Sequence, residues 1–157
     1  MEGCKDEMHL FVKHFSELSS LELYKILSLR SEVFVVEQDC VYQDPDNRDQ
    51  DAWHVWIEDG RGEVVACLRV FRFDEGHSQI GRVANSMKVR GTGVGKCIML
   101  KGIEVAKEHF PDIPILIHAQ QYASGFYEKC GFRKLLSARF TKPPEDSVLP
   151  HASMYSI

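Results

Sequence analysis

The chain has 157 residues, of which 44% are apolar and 27% charged, with a formal net charge of −4. That size suits a single domain with its own core over residues 1–157, and the acidic balance leaves no basic footprint for nucleic acid. Residues 1–8 lack the apolar stretch of a leader and no apolar run reaches bilayer length, so a cytoplasmic protein with no membrane partner is expected.

In chain order, residues 8–15 read as a first strand. Ser19 or Ser20 then caps a helix with Leu23, Ile26, Leu27, Arg30 and Phe34 at helical spacing, ending near Gln38. Residues 39–51 are polar and rich in Asp, Asn and Pro. They form a loop, and its length suggests a role beyond connection. Strands at 53–58 and 63–73 flank the hairpin turn Asp59-Gly60-Arg61-Gly62. A second hairpin turn at 74–77 leads into a strand over 78–89 that carries a kink. After Gly91, Gly93 and Gly95, a helix runs to about His109, with Val94, Ile98, Gly102, Ile103 and Ala106 on its apolar face. Residues 113–118 read as a strand buried on both faces. A short helix over 123–130 stops at Gly131. Strands at 132–136 and 152–157 close the chain around a proline-containing loop at 143–150. This order predicts a mixed α/β sheet with helices on its faces.

Five cysteines, Cys4, Cys40, Cys67, Cys97 and Cys130, are odd in number and widely spaced. They read as small buried side chains without a disulfide framework. No histidine forms a ligand spacing with another, and no metal is expected.

The segment Arg90-Gly91-Thr92-Gly93-Val94-Gly95-Lys96 joins a strand to a helix. Glycines allow consecutive amides to point outward, the helix dipole adds positive potential, and Arg90 and Lys96 add full charges. A diphosphate suits that arrangement. A nucleoside-triphosphate loop would need Gly at position 90 and Ser or Thr at position 97, where the chain has Arg90 and Cys97. A dinucleotide fingerprint starting at Gly91 would need Gly at position 96, where Lys96 stands. The plainer alternative is a tight turn before a capped helix.

Arg90-x-x-Gly93-x-Gly95 resembles the acetyl-coenzyme A motif of the GNAT N-acetyltransferase superfamily. Ala123-x-x-Phe126-Tyr127-x-x-x-Gly131-Phe132 resembles that family's second motif. Upstream, Arg30-x-x-Val33-Phe34-Val35-Val36-Glu37-Gln38, then Cys40-x-Tyr42-Gln43, an acidic loop and His54, resembles the ElaA-like branch. The matches span about residues 23–136. The resemblance implies a GNAT fold: a mostly antiparallel mixed sheet, splayed between its fourth and fifth strands, with acetyl-coenzyme A in the gap as co-substrate. It places Val83, Ala84, Asn85, Arg90, Gly91, Thr92, Gly93, Val94, Gly95, Lys96, Gln120 and Phe126 along that cofactor. Asn85 stands where an apolar residue is usual, and Gln120 where Asn is frequent.

Acetyl transfer to an amine needs a neutral amine, a polarised carbonyl and a proton for the leaving thiolate. By resemblance Tyr127 stands beside the coenzyme sulfur and supplies the proton, with a reference phenol pKa of about 10. A packed surface tyrosine is its plainer reading. Backbone amides around Val83–Asn85 would polarise the carbonyl. Glu37 and His54 are both candidates for the base; a solvated carboxylate and a hydrogen-bonded sheet histidine are the plainer readings. Arg69 and Arg82, on adjacent strands, and Tyr42 are candidates for acceptor contacts. Arg69 lies in an apolar strand and needs either an acidic partner or an anionic substrate. Asp44, Asp46, Asp49 and Asp51 are available as partners or as an amine-attracting cluster, although most read as solvated.

The leading expectation is an acetyl-coenzyme A-dependent N-acetyltransferase acting on a primary amine of a small molecule, an amino sugar, polyamine or amino acid, by direct attack in a ternary complex. A protein or peptide acetyltransferase, a non-catalytic acetyl-coenzyme A-binding module and a nucleotide-binding regulator are the alternatives. A homodimer is expected, with the closing strand at 152–157 pairing between subunits.

Overall fold

The computed structural model describes residues 7–120, 124–134 and 152–156, with the backbone alone for 118–120, Ser124, Lys134 and 152–156. Cys4, the start of the third helix at Ala123, the strand end at 135–136, the loop at 143–150 and Ile157 lie outside the described residues.

Among the described residues, seven strands form one sheet: β1 (His9–His14), β2 (Trp53–Glu58), β3 (Val64–Asp74), β4 (His77–Asn85), β5 (Ile115–Gln120), β6 (Arg133–Lys134) and β7 (Ala152–Ser156). Their order across the sheet is β1-β2-β3-β4-β5-β7-β6. Every neighbouring pair is antiparallel except β4 and β5, which run parallel. The expected mixed, mostly antiparallel sheet is therefore present. β7 lies between β5 and β6, and its Tyr155 and Ser156 are paired to β6, so those two positions are not open to the subunit pairing expected at 152–157.

The turn chemistry explains the two hairpins. The Asp59 carboxylate accepts from the amides of Arg61 and Glu63, and Gly62 takes a left-handed φ of 79°. Asp74 accepts from the Gly76 amide in the second turn.

Helix α1 (Ser20–Arg30) begins at a capping box in which Ser19 and Glu22 satisfy each other's backbone amides. Instead of continuing as α-helix to Gln38, the chain widens into a π-helical turn at Ser31–Glu37. Such turns are rare. α1 and this turn cover one face of the sheet, where Ile26, Leu29 and Val33 pack on Trp56, Cys67 and Ala84.

Helix α2 (Val94–His109) covers the other face through Ile98, Met99, Ile103 and Ala106, packed with Val55, Leu68, Val70 and Ile80. Gly102 permits the close approach: a Cβ there would lie 2.9 Å from Leu68 Cδ2 and 3.5 Å from Ile80 Cδ1. Helix α3 (Ser124–Lys129) packs on β5 and β6. Cys67 and Cys130 are buried as expected, burial pushing the Cys67 thiol up to about 12, but Cys97 is exposed on α2. Among the described residues, no helix is long and apolar enough to cross a membrane.

The strand expected to reach Val89 stops at Asn85. Ser86 turns the chain by capping a short 3-10 turn at Met87–Val89. The expected kink is a β-bulge: between the pairs Cys67–Ala84 and Arg69–Gly81, Leu68 faces both Arg82 and Val83, and Arg82 takes a φ of 49°.

Gly102→Val should overpack the α2–β3 contact, lowering unfolding free energy by about 2–4 kcal/mol. Gly102→Ala should cost less than half as much, because alanine regains about 1 kcal/mol of helix propensity. Urea denaturation of the two variants checks both values.

Candidate active site

The site begins where two strands part. β4 and β5 pair only through Ser78–Ile80 with Ile115–Ile117. Beyond Ile80 the bulge at Arg82 and Val83 bends β4, and residues 81–85 have no pairing with β5 among the described residues. The Ser86 amide donates to the Val65 carbonyl at 2.8 Å. Alternation along an antiparallel pair then turns Ala84 back to Cys67 and directs the Asn85 amide away from β3, toward the opening.

The glycine turn closes the same end of β4. Gly91 and Gly93 have φ of 78° and 89°. A Cβ at either would meet no atom of the described residues within 4 Å, so the turn presents bare backbone. Gly93 is the N-cap of α2, and among the described residues no side chain caps that helix. The Thr92 hydroxyl folds back to donate to the Val89 carbonyl. The first turn of α2 therefore offers its amides and its dipole outward, with the exposed Lys96 beside them. Asn85 lies beneath Gly95: its Nδ2 is 3.2 Å from where a Gly95 Cβ would stand, and its Oδ1 is buried with no partner among the described residues. Val94 is half-buried on the apolar side of this turn.

Arg90 bridges the turn to the other wall. Its Nε and Nη2 donate to the Asn85 carbonyl at 3.3 and 3.0 Å. Its Nη1 is ion-paired with Glu37, the last residue of the π-helical turn. Glu37 is thus beside the cofactor-type turn, a proximity that helical periodicity did not indicate.

His54, Arg69, Arg82 and Tyr42 come together around the acidic loop. Arg69, 3% exposed, donates to both carboxylate oxygens of Asp46 at 2.7 and 2.6 Å and to Asp49 at 2.9 Å. Arg30, also buried, bonds Asp44 at 2.8 Å and Asp49 at 2.7 Å. Arg82 pairs with Asp44 and Asp46 and lies over the Tyr42 ring. The Tyr42 hydroxyl donates to Asp44. Three arginines thus meet three aspartates, and Arg69 has the acidic partner that an apolar strand demands. Asp44 and Asp49 are buried, Asp46 is half-buried, and Asp51 alone of the four aspartates is exposed. The solvated reading of the other three is corrected by these pairings. The pattern that announces them is the equal count of Arg and Asp at 30, 69, 82 and 44, 46, 49.

His54 is fully buried, and its Nε2 donates to the Asp49 carbonyl at 2.9 Å. Nδ1 then carries the lone pair, buried without a partner among the described residues. Burial pushes its pKa below the ordinary histidine range, despite the Asp49 carbonyl, so the ring is neutral. Here it clamps the loop and does not reach the opening. Burial would raise Asp46 and Asp49, but the guanidiniums of Arg69 and Arg30 hold both carboxyls below the usual range. Burial and the Asp44 charge push the Tyr42 phenol up.

On α3, Tyr127 is 8% exposed and meets Phe126 and Phe132 edge-on, with centroids at 5.3 and 6.2 Å. Gln120 ends β5, at the parted end; its side chain lies outside the described residues.

A strand pair opened by a bulge, with a bare glycine turn and helix N-terminus at its end, has known counterparts. The chain matches the acetyltransferase (GNAT) family over residues 17–132. It belongs to that family. It is similar to protein ElaA of Escherichia coli, 40% identical over 147 residues that cover 90% of this chain and 91% of ElaA. The crystal structure of Escherichia coli ElaA superposes with a TM-score of 0.82 at 35% identity, covering 95% of this chain and 98% of that one. An acyl-CoA N-acyltransferase from Pseudomonas aeruginosa gives a TM-score of 0.83 at 31% identity, covering 96% and 99%. The fold is the GNAT fold, the ElaA-like resemblance holds over most of the chain, and the protein is an acyltransferase of a family that uses acetyl- or acyl-coenzyme A.

The depressed pKa values make stability depend on pH in two windows. His54 contributes stability that is complete above its unfolded pKa of about 6.5 and is lost as pH falls below it, by at most about 1.4 kcal/mol per pH unit. Asp46 and Asp49 contribute stability that is present above about pH 4 and lost as pH falls further. Urea midpoints measured from pH 8 to 3 should fall in both windows. His54→Gln should flatten only the upper one.

Gly95→Ala should raise the KM for acetyl-coenzyme A about tenfold by pushing on Asn85. Adding Asn85→Ala should recover most of that loss if steric conflict is the cause, and initial-rate kinetics of the single and double variants check this.

Proposed function

We propose that this chain transfers an acetyl group from acetyl-coenzyme A to a primary amine of a small molecule, by direct attack in a ternary complex in the cytoplasm. The observation that carries the reading is the turn at 90–96. Among the described residues, two left-handed glycines with open space above them lead into a helix that no side chain caps, beside a strand that has parted from its neighbour. The residues fit the diphosphate of the coenzyme: the amides of Gly93, Val94, Gly95 and Lys96 would hold it, with Arg90 and Lys96 supplying charge. Gly91 and Thr92 shape the approach. Bound there, the thioester supplies an activated acetyl group.

The remaining roles belong to the chain's own groups. The outward amide of Asn85, with its neighbours Val83 and Ala84, lines the parted edge of β4 and would donate to the thioester oxygen. Tyr127, with Phe126 and Gln120 on the opposite side of the opening, would return a proton to the thiolate. Glu37 is the better of the two base candidates, because it stands at the opening while His54 is sealed under the loop. Arg69, Arg82 and Tyr42 hold the loop that forms the acceptor wall, and we assign them to shaping it. No observation here favours a protein or peptide acceptor, nor a module that binds the thioester without turning it over.

A panel of polyamines, amino sugars and amino acids assayed for thiol release should yield at least one acceptor. With that acceptor, Tyr127→Phe should lower kcat about 10- to 100-fold and leave the KM for acetyl-coenzyme A within about twofold. Thiol release indistinguishable from the rate without any amine, across the whole panel, would support the non-catalytic module.

A further inference from the structure

The guanidinium of Arg90 has two neighbours of different kinds. The Asn85 carbonyl takes Nε and Nη2, on the edge that faces β4. The Glu37 carboxylate takes Nη1. Glu37 reaches it because the π-helical turn at Ser31–Glu37 packs against β4, with Val33 in contact with the cluster that holds Ala84. The pair is not sealed: Arg90 and Glu37 side chains retain 43% and 29% of their exposure. A carboxylate and a diphosphate that meet one guanidinium are competitors for it, and the diphosphate brings the larger charge.

We propose that Arg90 changes partner on loading: Glu37 holds it in the free enzyme, and the diphosphate of the acyl-coenzyme A takes it in the loaded one. This rests on the reading of residues 90–96 as the diphosphate cradle. The exchange concerns Nη1 alone, since the Asn85 carbonyl keeps the rest of the guanidinium in place. It frees the Glu37 carboxylate at the mouth of the opening when the thioester is present. Glu37 is therefore a brake on cofactor affinity, and acyl-coenzyme A occupancy is coupled to its release.

The test is a double-mutant cycle read by calorimetric titration with acetyl-coenzyme A, using wild type, Glu37→Gln, Arg90→Gln and the double variant, each checked for an unchanged melting transition. Glu37→Gln keeps the side-chain shape and removes the competing charge. It should tighten acetyl-coenzyme A binding about two- to fivefold, the range expected when a partly exposed ion pair no longer has to be broken. In the Arg90→Gln background the same change should have no effect. S-acetylpantetheine, which lacks the diphosphate, should bind wild type and Glu37→Gln with the same Kd when titrated in the same way.

Unchanged or weaker binding of acetyl-coenzyme A by Glu37→Gln overturns the proposal while leaving the cradle intact. An equal gain in the Arg90→Gln background, or toward S-acetylpantetheine, also overturns it, because the effect would then not pass through Arg90 and the diphosphate. Wild-type protein that prefers acetyl-coenzyme A to S-acetylpantetheine by no more than twofold would remove the cradle itself, and the proposal with it.

Discussion

The parting of β4 from β5 after Ile80 is the constraint from which the rest of this site follows. Three parallel pairs hold the two strands together at one end. The bulge opposite Leu68 then places Arg82 in a left-handed conformation and carries β4 away. A sheet interrupted in its middle leaves backbone donors without ladder partners, which is costly in a buried setting unless something polar completes them. The glycine turn lies at that same end, so the outward Asn85 amide and the uncapped start of α2 face one region. An acyl group with a long polar handle suits both, and the GNAT family membership gives that fit its chemical meaning.

The opposite wall is built from charge. Arg30, Arg69 and Arg82 extend from α1, β3 and β4 and meet Asp44, Asp46 and Asp49 from a single loop. Removing one partner from a buried pair of this kind typically costs about 3–5 kcal/mol, because the other charge is left uncompensated. Equal numbers of cations and anions avoid that cost, and the neutral His54 adds a hydrogen bond to the same loop without adding charge. A loop of this length would otherwise be mobile on entropic grounds. Held at these points, it keeps Tyr42 and the end of the π-helical turn beside the opening.

Much of this was legible in the residues. Alternation, capping and turn chemistry located the strands, and Ser19, Asp59 and Gly131 marked boundaries that the structure keeps. The glycine spacing at 91, 93 and 95 is enough to point to the anion-type turn. Other features depend on long-range contacts that a linear pattern does not contain. The π-helical winding of residues 31–37 has no signal in the apolar spacing, which reads as a continuing helix to Gln38. A kink was expected within 78–89, but its place at Arg82 and Val83 follows from the pairing with β3. Arg69 was recognised as needing a partner, but four acidic candidates and an anionic substrate were equally consistent with the spacing. Glu37 and His54 looked alike as bases because burial, which separates them, is a tertiary property.

The central claim is that the backbone of residues 93–96 receives a diphosphate at the end of a parted β4. A crystal structure of the protein with acetyl-coenzyme A tests it most directly. Diphosphate oxygens should lie within hydrogen-bonding distance of those amides, with the thioester running along β4 toward Tyr127. Density for the cofactor elsewhere on the surface, or those amides bonded to protein groups in the complex, would contradict it.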